Sequence, residues 1–302
     1  VTVRGFAARV QGEGEEAHVE GFPEFVPDEK ESPALLLVVD PFSFPAEGFL
    51  RALAERCPTL PVLGGMASGA GSPGQNRLLF DEEILEDGAI GALLAGPLEV
   101  RTVVSQGCRP IGRPLVVTKG EGNLVQELAG KPALERVKEV LDSLDEKERL
   151  LARNALHVGI VIDEYRSAFE RGDFLVRNLV GLDPKSGALV IGDRVRRGQT
   201  IQFHVRDAAS ADEDLRALLE REAKGRKSSP PAGALLFTCN GRGTNLFASP
   251  DHDASMVRSI AGAIPLAGFF AAGEIGPIGA KNFLHGYTAS LALFYDRARG
   301  AR

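Results

Sequence analysis

A thiol and two imidazoles, Cys239, His252 and His285, fall within one stretch, Gly233–Tyr287. Covalent and acid–base catalysis are built from such groups, but no spacing here certifies a Cys–His pair. The segment TCNGRGTN, Thr238–Asn245, follows an apolar run. Its side chains therefore emerge at the carboxyl end of a strand, where ligands bind in open α/β sheets. Gly241 and Gly243 would let backbone N–H groups approach an anion, with Cys239 and Asn240 at the loop mouth and Arg242 placed to clamp a carboxylate. The Lys-Ser/Thr pair of a phosphate-binding loop is missing. Ser249 and Pro250 read as the N-cap and first residue of a helix, with Asp251 and Asp253 complementing its dipole. His252 has no such structural role, which makes it a candidate ligand contact. Glu274, after Gly273, is a lone carboxylate at the end of an apolar strand, with Asn282 and His285 close in sequence. The expected arrangement is a polar cleft in which Glu274 takes an ammonium group and Arg242 a carboxylate. Cys108 and Arg109, in GCRPIGRP, complete the ligand-binding candidates. His252, Glu274 and His285 are too scattered to read as a metal site, and no cofactor motif is present.

Elements able to position these groups can be read in order. Val1–Val10 and His18–Phe22 suggest a hairpin. Ala34–Val39, ALLLVV, reads as a strand buried on both faces. Pro45–Cys57 has helical spacing, and Leu60–Met66 is a second strand, so the two strands should be parallel. Arg77–Phe80, Ala89–Ala95 and Glu99–Ser105 are expected as antiparallel neighbours. GCRPIGRP holds two glycines and two prolines, so it is expected to be irregular and to mark the joint between domains 1–106 and 107–302. Beyond it come a hairpin over Leu115–Leu128, helices over Pro132–Leu144 and Asp145–Arg153, and strands at Leu156–Ile162, Phe174–Gly181, Ala188–Ile191 and Thr200–Val205. A helix follows over Ala211–Ala223, and Thr288–Tyr295 is the last strand. The segments 25–32 and 224–231 read as loops.

At 302 residues, 44% hydrophobic and 25% charged, the composition is that of a soluble globular protein. A formal charge of −6 argues against sequence-independent nucleic-acid binding. Three cysteines, Cys57, Cys108 and Cys239, fit reduced thiols in a cytoplasmic protein. The apolar run Ala261–Gly273 is too short for a membrane span, which needs about 20 residues. The chain starts at Val1 inside a strand-like run, so we expect its native start to lie further upstream.

ALLLVVD at Ala34–Asp40 matches ALLFTCN at Ala234–Asn240, and LPVLGGMASG from Leu60 matches IPLAGFFAAG from Ile264. Pro61, Gly64, Ala67 and Gly69 recur without a gap as Pro265, Gly268, Ala271 and Gly273. The chain therefore reads as α/β (α+β), with two pseudo-repeated mixed-sheet halves. Each sheet would have one helix-covered face, and packing the bare faces together gives αββα layers.

The runs VVSQGCRPIGRPLVVTKGEGN, from Val103, and LLFTCNGRGTNLFASPDHDASMVRSIAGAIPLAGFFAAGEIGPIGAKNFLHGYTASLALF, from Leu235, resemble the FIST domain. So does LPVLGGMASG with the upstream DPFSFP. The resemblance covers an N-terminal FIST module to about Gln106 and a C-terminal module beyond it; an additional N-terminal segment of the family has no counterpart here. It implies a sensory domain in signal transduction that binds a small ligand, an amino acid or similar metabolite, without established catalytic residues. It implies a signalling protein as a further partner; on the net charge and the short apolar run, neither nucleic acid nor membrane is expected. Two rival readings are an enzyme using Cys239 or Cys108 with a histidine, and a protein-recruitment module, as F-box fusions in the family suggest.

Overall fold

The computed structural model describes residues 1–12, 18–23, 32–183, 185–225 and 230–297. Most of the loops expected at 25–32 and 224–231 lies outside them. The chain forms two compact units, Val1–Ser105 with Leu215–Arg302, and Gln106–Asp214.

The first unit begins with β1 (Thr2–Gln11) and β2 (His18–Glu20), the expected hairpin, then β3 (Ala34–Val39), α1 (Ala46–Arg56) and β4 (Val62–Met66). β3 has no polar side chain to offer water, and it is covered on both faces. α1 lays Ala46, Leu50 and Leu53 against Leu35, Leu37 and Val39. β3 and β4 are parallel, as the intervening helix requires. Next come β5 (Leu78–Phe80) and β6 (Glu83–Leu85), an isolated two-stranded hairpin, then β7 (Ala89–Ala95) and β8 (Leu98–Ser105). Contrary to expectation β7 and β8 are not neighbours, because β7 pairs with β1 and β3 while β8 belongs to another sheet. Gly96, with φ of 123°, turns the chain out of the first sheet.

The second unit holds β9 (Cys108–Glu121), β10 (Leu124–Leu128), β11 (Lys131–Pro132), α2 (Ala133–Ser143), α3 (Glu146–Ala155), β12 (Leu156–Val161), β13 (Phe174–Leu182), β14 (Leu189–Ile191) and β15 (Thr200–Arg206). Its strands run in the order β10-β14-β13-β12-β15-β9, and β9 pairs with β10 as well, so the sheet closes into a barrel. Contrary to expectation GCRPIGRP is not irregular: all of it after Gly107 is the first half of β9. The register jumps from Ile201↔Leu115 to Phe203↔Ile111, leaving Gly112–Pro114 as a bulge. There Gly112 takes φ of 61° and Pro114 needs no ladder donor.

The helix α4 (Ala208–Lys224) leads to β16 (Gly233–Cys239), α5 (His252–Ala261), β17 (Leu266–Ala271), β18 (Glu274–Ile278), β19 (Lys281–His285) and β20 (Ala289–Asp296), all but the start of α4 in the first unit. The repeat is larger than the sequence match. One sheet contains β4-β3-β7-β1 and the other is β17-β16-β20-β8, in the same order with the same parallel and antiparallel senses. Leu37 pairs with Gly64, and Leu236 with Gly268. Ala234 thus corresponds to Leu35, one residue from the sequence match, and Cys239 takes the place of Asp40. Both glycines adopt the same unusual backbone, φ of 148° and 153°, and a Cβ on either would sit 1.7 Å from the carbonyl oxygen of Leu37 or Leu236. The expected layers are found within this unit. Gly65 faces Ala271, Gly276 faces Ser290 and Val104, and the Ser290 hydroxyl donates to the Ile275 carbonyl at 3.1 Å. α1 lies on the outer face of one sheet, α5 and the end of α4 on that of the other.

The strands β18 and β19 are built on the Gly-rich run EIGPIGAK, whose composition suits a turn. They form a hairpin that joins the other copy's sheet, with Ile275 paired to Gly64 and buried in the α1 cluster. Gly276 is there for close approach, since a Cβ would lie 2.5 Å from Ser290 Oγ.

Candidate functional site

After β16 the chain makes a tight turn. Arg242 N–H donates to the Cys239 carbonyl, and Asn245 Nδ2 to the Asn240 carbonyl at 2.8 Å. Gly241 N–H donates to Cys239 Sγ at 3.4 Å. The turn points Arg242 inward, where it is 1% exposed. Its Nε and Nη2 donate to Asp253 Oδ2 and Oδ1 at 2.7 and 2.8 Å, a buried bidentate pair. Helix α5 starts at His252, later than expected, with Asp251 at φ of 56° as its N-cap. Asp253 is therefore the counter-ion of Arg242 rather than an exposed partner of the helix dipole. Burial pushes its pKa up, but the hydrogen bonds and charge of Arg242, helped by His252, hold it below the ordinary carboxylate value. His252 Nδ1 lies 3.1 Å from Asp253 Oδ1, and its ring stacks on Phe247 at 3.5 Å and 7°. The Arg242 guanidinium also lies over Phe247, at 5.3 Å.

Beside this cluster a cavity of about 280 Å³ opens between α5 and β17. Leu236, Leu266, Gly268 and Phe270 supply apolar surface, and Thr238, His252, Asp253 and Arg258 polar groups. Gly243, at φ of 57°, also lines it, where a Cβ would meet the Phe270 ring at 2.8 Å. Of the candidates read from the sequence, His252 and Gly243 reach this cavity directly, and Arg242 does so through Asp253. Arg242 does not offer a free fork for a ligand carboxylate, because Asp253 occupies it.

The others are placed differently. Glu274 is 0% exposed, and its Oε2 accepts from Thr288 N–H at 3.0 Å and from Thr288 Oγ1 at 2.6 Å. It is built into the fold and does not line the cavity. Asn282 mimics a strand neighbour, accepting from Val62 N–H at 2.9 Å and donating to the Leu60 carbonyl at 2.8 Å. His285 is buried with Nε2 2.9 Å from the Gly276 carbonyl, and the Gly273 carbonyl accepts from Met66 N–H at 2.7 Å. Cys108 and Arg109 belong to the barrel unit, where Arg109 pairs with Glu148 at 3.0 Å and Asp207 at 3.5 Å. Among the described residues no cluster of three or more metal-ligating side chains occurs.

Asp40 carries no mark in the sequence beyond ending the apolar run ALLLVV. It is buried, accepting from Ser43 Oγ at 2.6 Å, Phe42 N–H at 3.1 Å and Asn76 Nδ2 at 2.8 Å. Burial raises its pKa, but these hydrogen bonds hold it below the ordinary value. The available signal was its position, since it occupies in the first copy the place of Cys239 in the second.

The family model of the FIST N domain matches residues 3–131 and that of the FIST C domain residues 133–277. An uncharacterized protein of Mycobacterium tuberculosis strain H37Rv is 49% identical over 261 residues, covering 86% of this chain and 68% of the relative. One of Mycobacterium bovis is 49% identical, covering 86% and 67%. An uncharacterized protein of Methanocaldococcus jannaschii is 34% identical over 83 residues, covering 28% and 16%.

Proposed function

The chain belongs to the FIST family, and from that membership we propose that it is a cytoplasmic sensory domain binding an amino acid or similar small metabolite. FIST domains are associated with signal transduction and small-ligand sensing. The supporting observation is the cavity between α5 and β17. It joins apolar surface from Leu236, Leu266 and Phe270 to the charged groups of Asp251 and Arg258 and the imidazole of His252. Such a mixture suits a zwitterion with an apolar side chain, its ammonium toward Asp251 and its carboxylate toward Arg258 and His252. A signalling protein receiving the response is part of the same proposal. No described helix is long and apolar enough to cross a membrane.

Thermal shift and calorimetry against the free amino acids test this reading. A true ligand at 100 times its Kd raises stability by about 2.7 kcal/mol, and Leu266→Trp, which fills the cavity, abolishes the shift. Silence across the panel overturns the proposal. We also propose residues 1–106 and 107–302 as the N-terminal and C-terminal FIST modules. Because β18 joins the sheet of β4 and β20 pairs with β8, neither stretch expressed alone is expected to unfold cooperatively. Cooperative melting of either would count against that sharing.

A further inference from the structure

The two copies of the repeat place a hairpin at the same point in chain order, after the second parallel strand: β5–β6 in the first and β18–β19 in the second. The second hairpin crosses to the other sheet. It covers the edge of β4, with Ile275 and its cross-strand partner Leu284 packed into the α1 cluster. The equivalent edge in the other sheet is that of β17, which ends its sheet with no strand beyond it among the described residues. The space between that edge and α5 is the cavity, and Phe270 at its rim is 49% exposed.

The hairpin β5–β6 shows the complementary deficit. It pairs with no other strand among the described residues. Leu78 and Leu85 face inward and are buried, but the opposite cross-strand pair, Leu79 and Ile84, is 68% and 63% exposed. An aliphatic cross-strand pair is what Ile275 and Leu284 supply to the groove of the first copy. The hairpin tip also carries exposed Asp81, Glu82 and Glu83, while the groove presents Arg258, with Asp251 as its one exposed carboxylate. Open strand edges and exposed apolar pairs are features that association removes.

We propose that the chain forms a two-fold dimer in which the β5–β6 hairpin of each copy docks between β17 and α5 of the other. Leu79 and Ile84 enter the groove, and the acidic tip meets Arg258. The two contacts are the same surface pair taken twice, so the assembly closes at two copies. This goes beyond the small-ligand reading and shares its cavity, so hairpin and ligand exclude one another.

Sedimentation velocity on the full chain over a concentration series is the test. The wild type should pass from monomer to dimer, Leu79→Glu/Ile84→Glu should stay monomeric and melt where the wild type melts at concentrations too low for the dimer, and Arg258→Glu should weaken the dimer at least tenfold. Leu79→Cys mixed with Phe270→Cys should yield a mixed disulfide between the two variants. A wild type that is monomeric throughout, or a dimer that survives the double substitution, overturns the inference. Calorimetry with amino acids on the monomeric variant tests ligand binding separately, so the two readings fail independently.

Discussion

Arg242 and Asp253 are a buried pair, and burying charge is tolerable only while the pair is whole. Asp253→Ala leaves a guanidinium enclosed without its counter-ion, which costs about 3–5 kcal/mol. Chemical denaturation should show that loss, and Arg242→Met/Asp253→Leu should lose less than either single change. A single substitution with no loss would mean that the pair is solvated in solution. The residue types were legible in the sequence, since Arg242, His252 and Asp253 all stood out, but the pairing was not. Arg242 and Asp253 are 11 residues apart, and nothing in that spacing says that a turn after β16 folds one onto the other. The same holds for Glu274 and Asn282. Each is a polar side chain in an apolar setting, which flags a ligand contact or a buried structural bond equally well, and here both bond to backbone.

Elements whose local pattern agreed with their tertiary role were readable. β3 is uniformly apolar because both faces are covered, and α1 shows the 3.6-residue period because only one of its faces is. The misread segments are those rich in glycine and proline. β9 absorbs Gly112 and Pro114 in a bulge, and β18 uses Gly276 for contact between sheets. Gly112 supplies the positive φ of a bulge and Gly276 permits close approach; neither marks a turn, which composition alone does not distinguish. The glycines that recur between the copies carry the sharpest prediction at this scale. At Gly64 and Gly268 any side chain meets a carbonyl oxygen of the neighbouring strand. Gly64→Ala and Gly268→Ala should therefore each cost at least ~2 kcal/mol through backbone strain, with the steric clash in addition. Equal losses in thermal melts would show that both copies need the same backbone. A neutral Gly268→Ala would mean that β17, with no strand beyond it among the described residues, relaxes where the covered edge of β4 does not.

For the molecule as a whole, acid should act through the barrel unit. His157 on β12 and His204 on β15 are directly opposite in register and buried. Burial drives the pKa of each down to about 4, with Arg206 and His204 adding to the effect on His157. For His204 a hydrogen bond to the Gln202 carbonyl opposes burial, and Arg171 assists it. An unfolded histidine titrates near 6.5, so between these values the unfolded chain binds more protons than the folded one. Stability from keeping the rings neutral is then fully present above pH 6.5 and falls as the pH drops toward 4, where the loss levels off. Each histidine accounts for at most about 3 kcal/mol over that window. The carboxylates Asp40 and Asp253, in the other unit, have depressed pKa values. Their contribution is lost only at lower pH, as they too become protonated. The two units should thus lose stability in sequence on acidification, the barrel first. Hydrogen exchange of amides in β12 and β15 against those in β3 and β16, followed from pH 7 to 4.5, reads this order. Replacing His157 and His204 together by glutamine should flatten the barrel's response without changing that of the other unit. Simultaneous loss of protection in all four strands, unchanged by the substitutions, would place the acid-labile groups elsewhere.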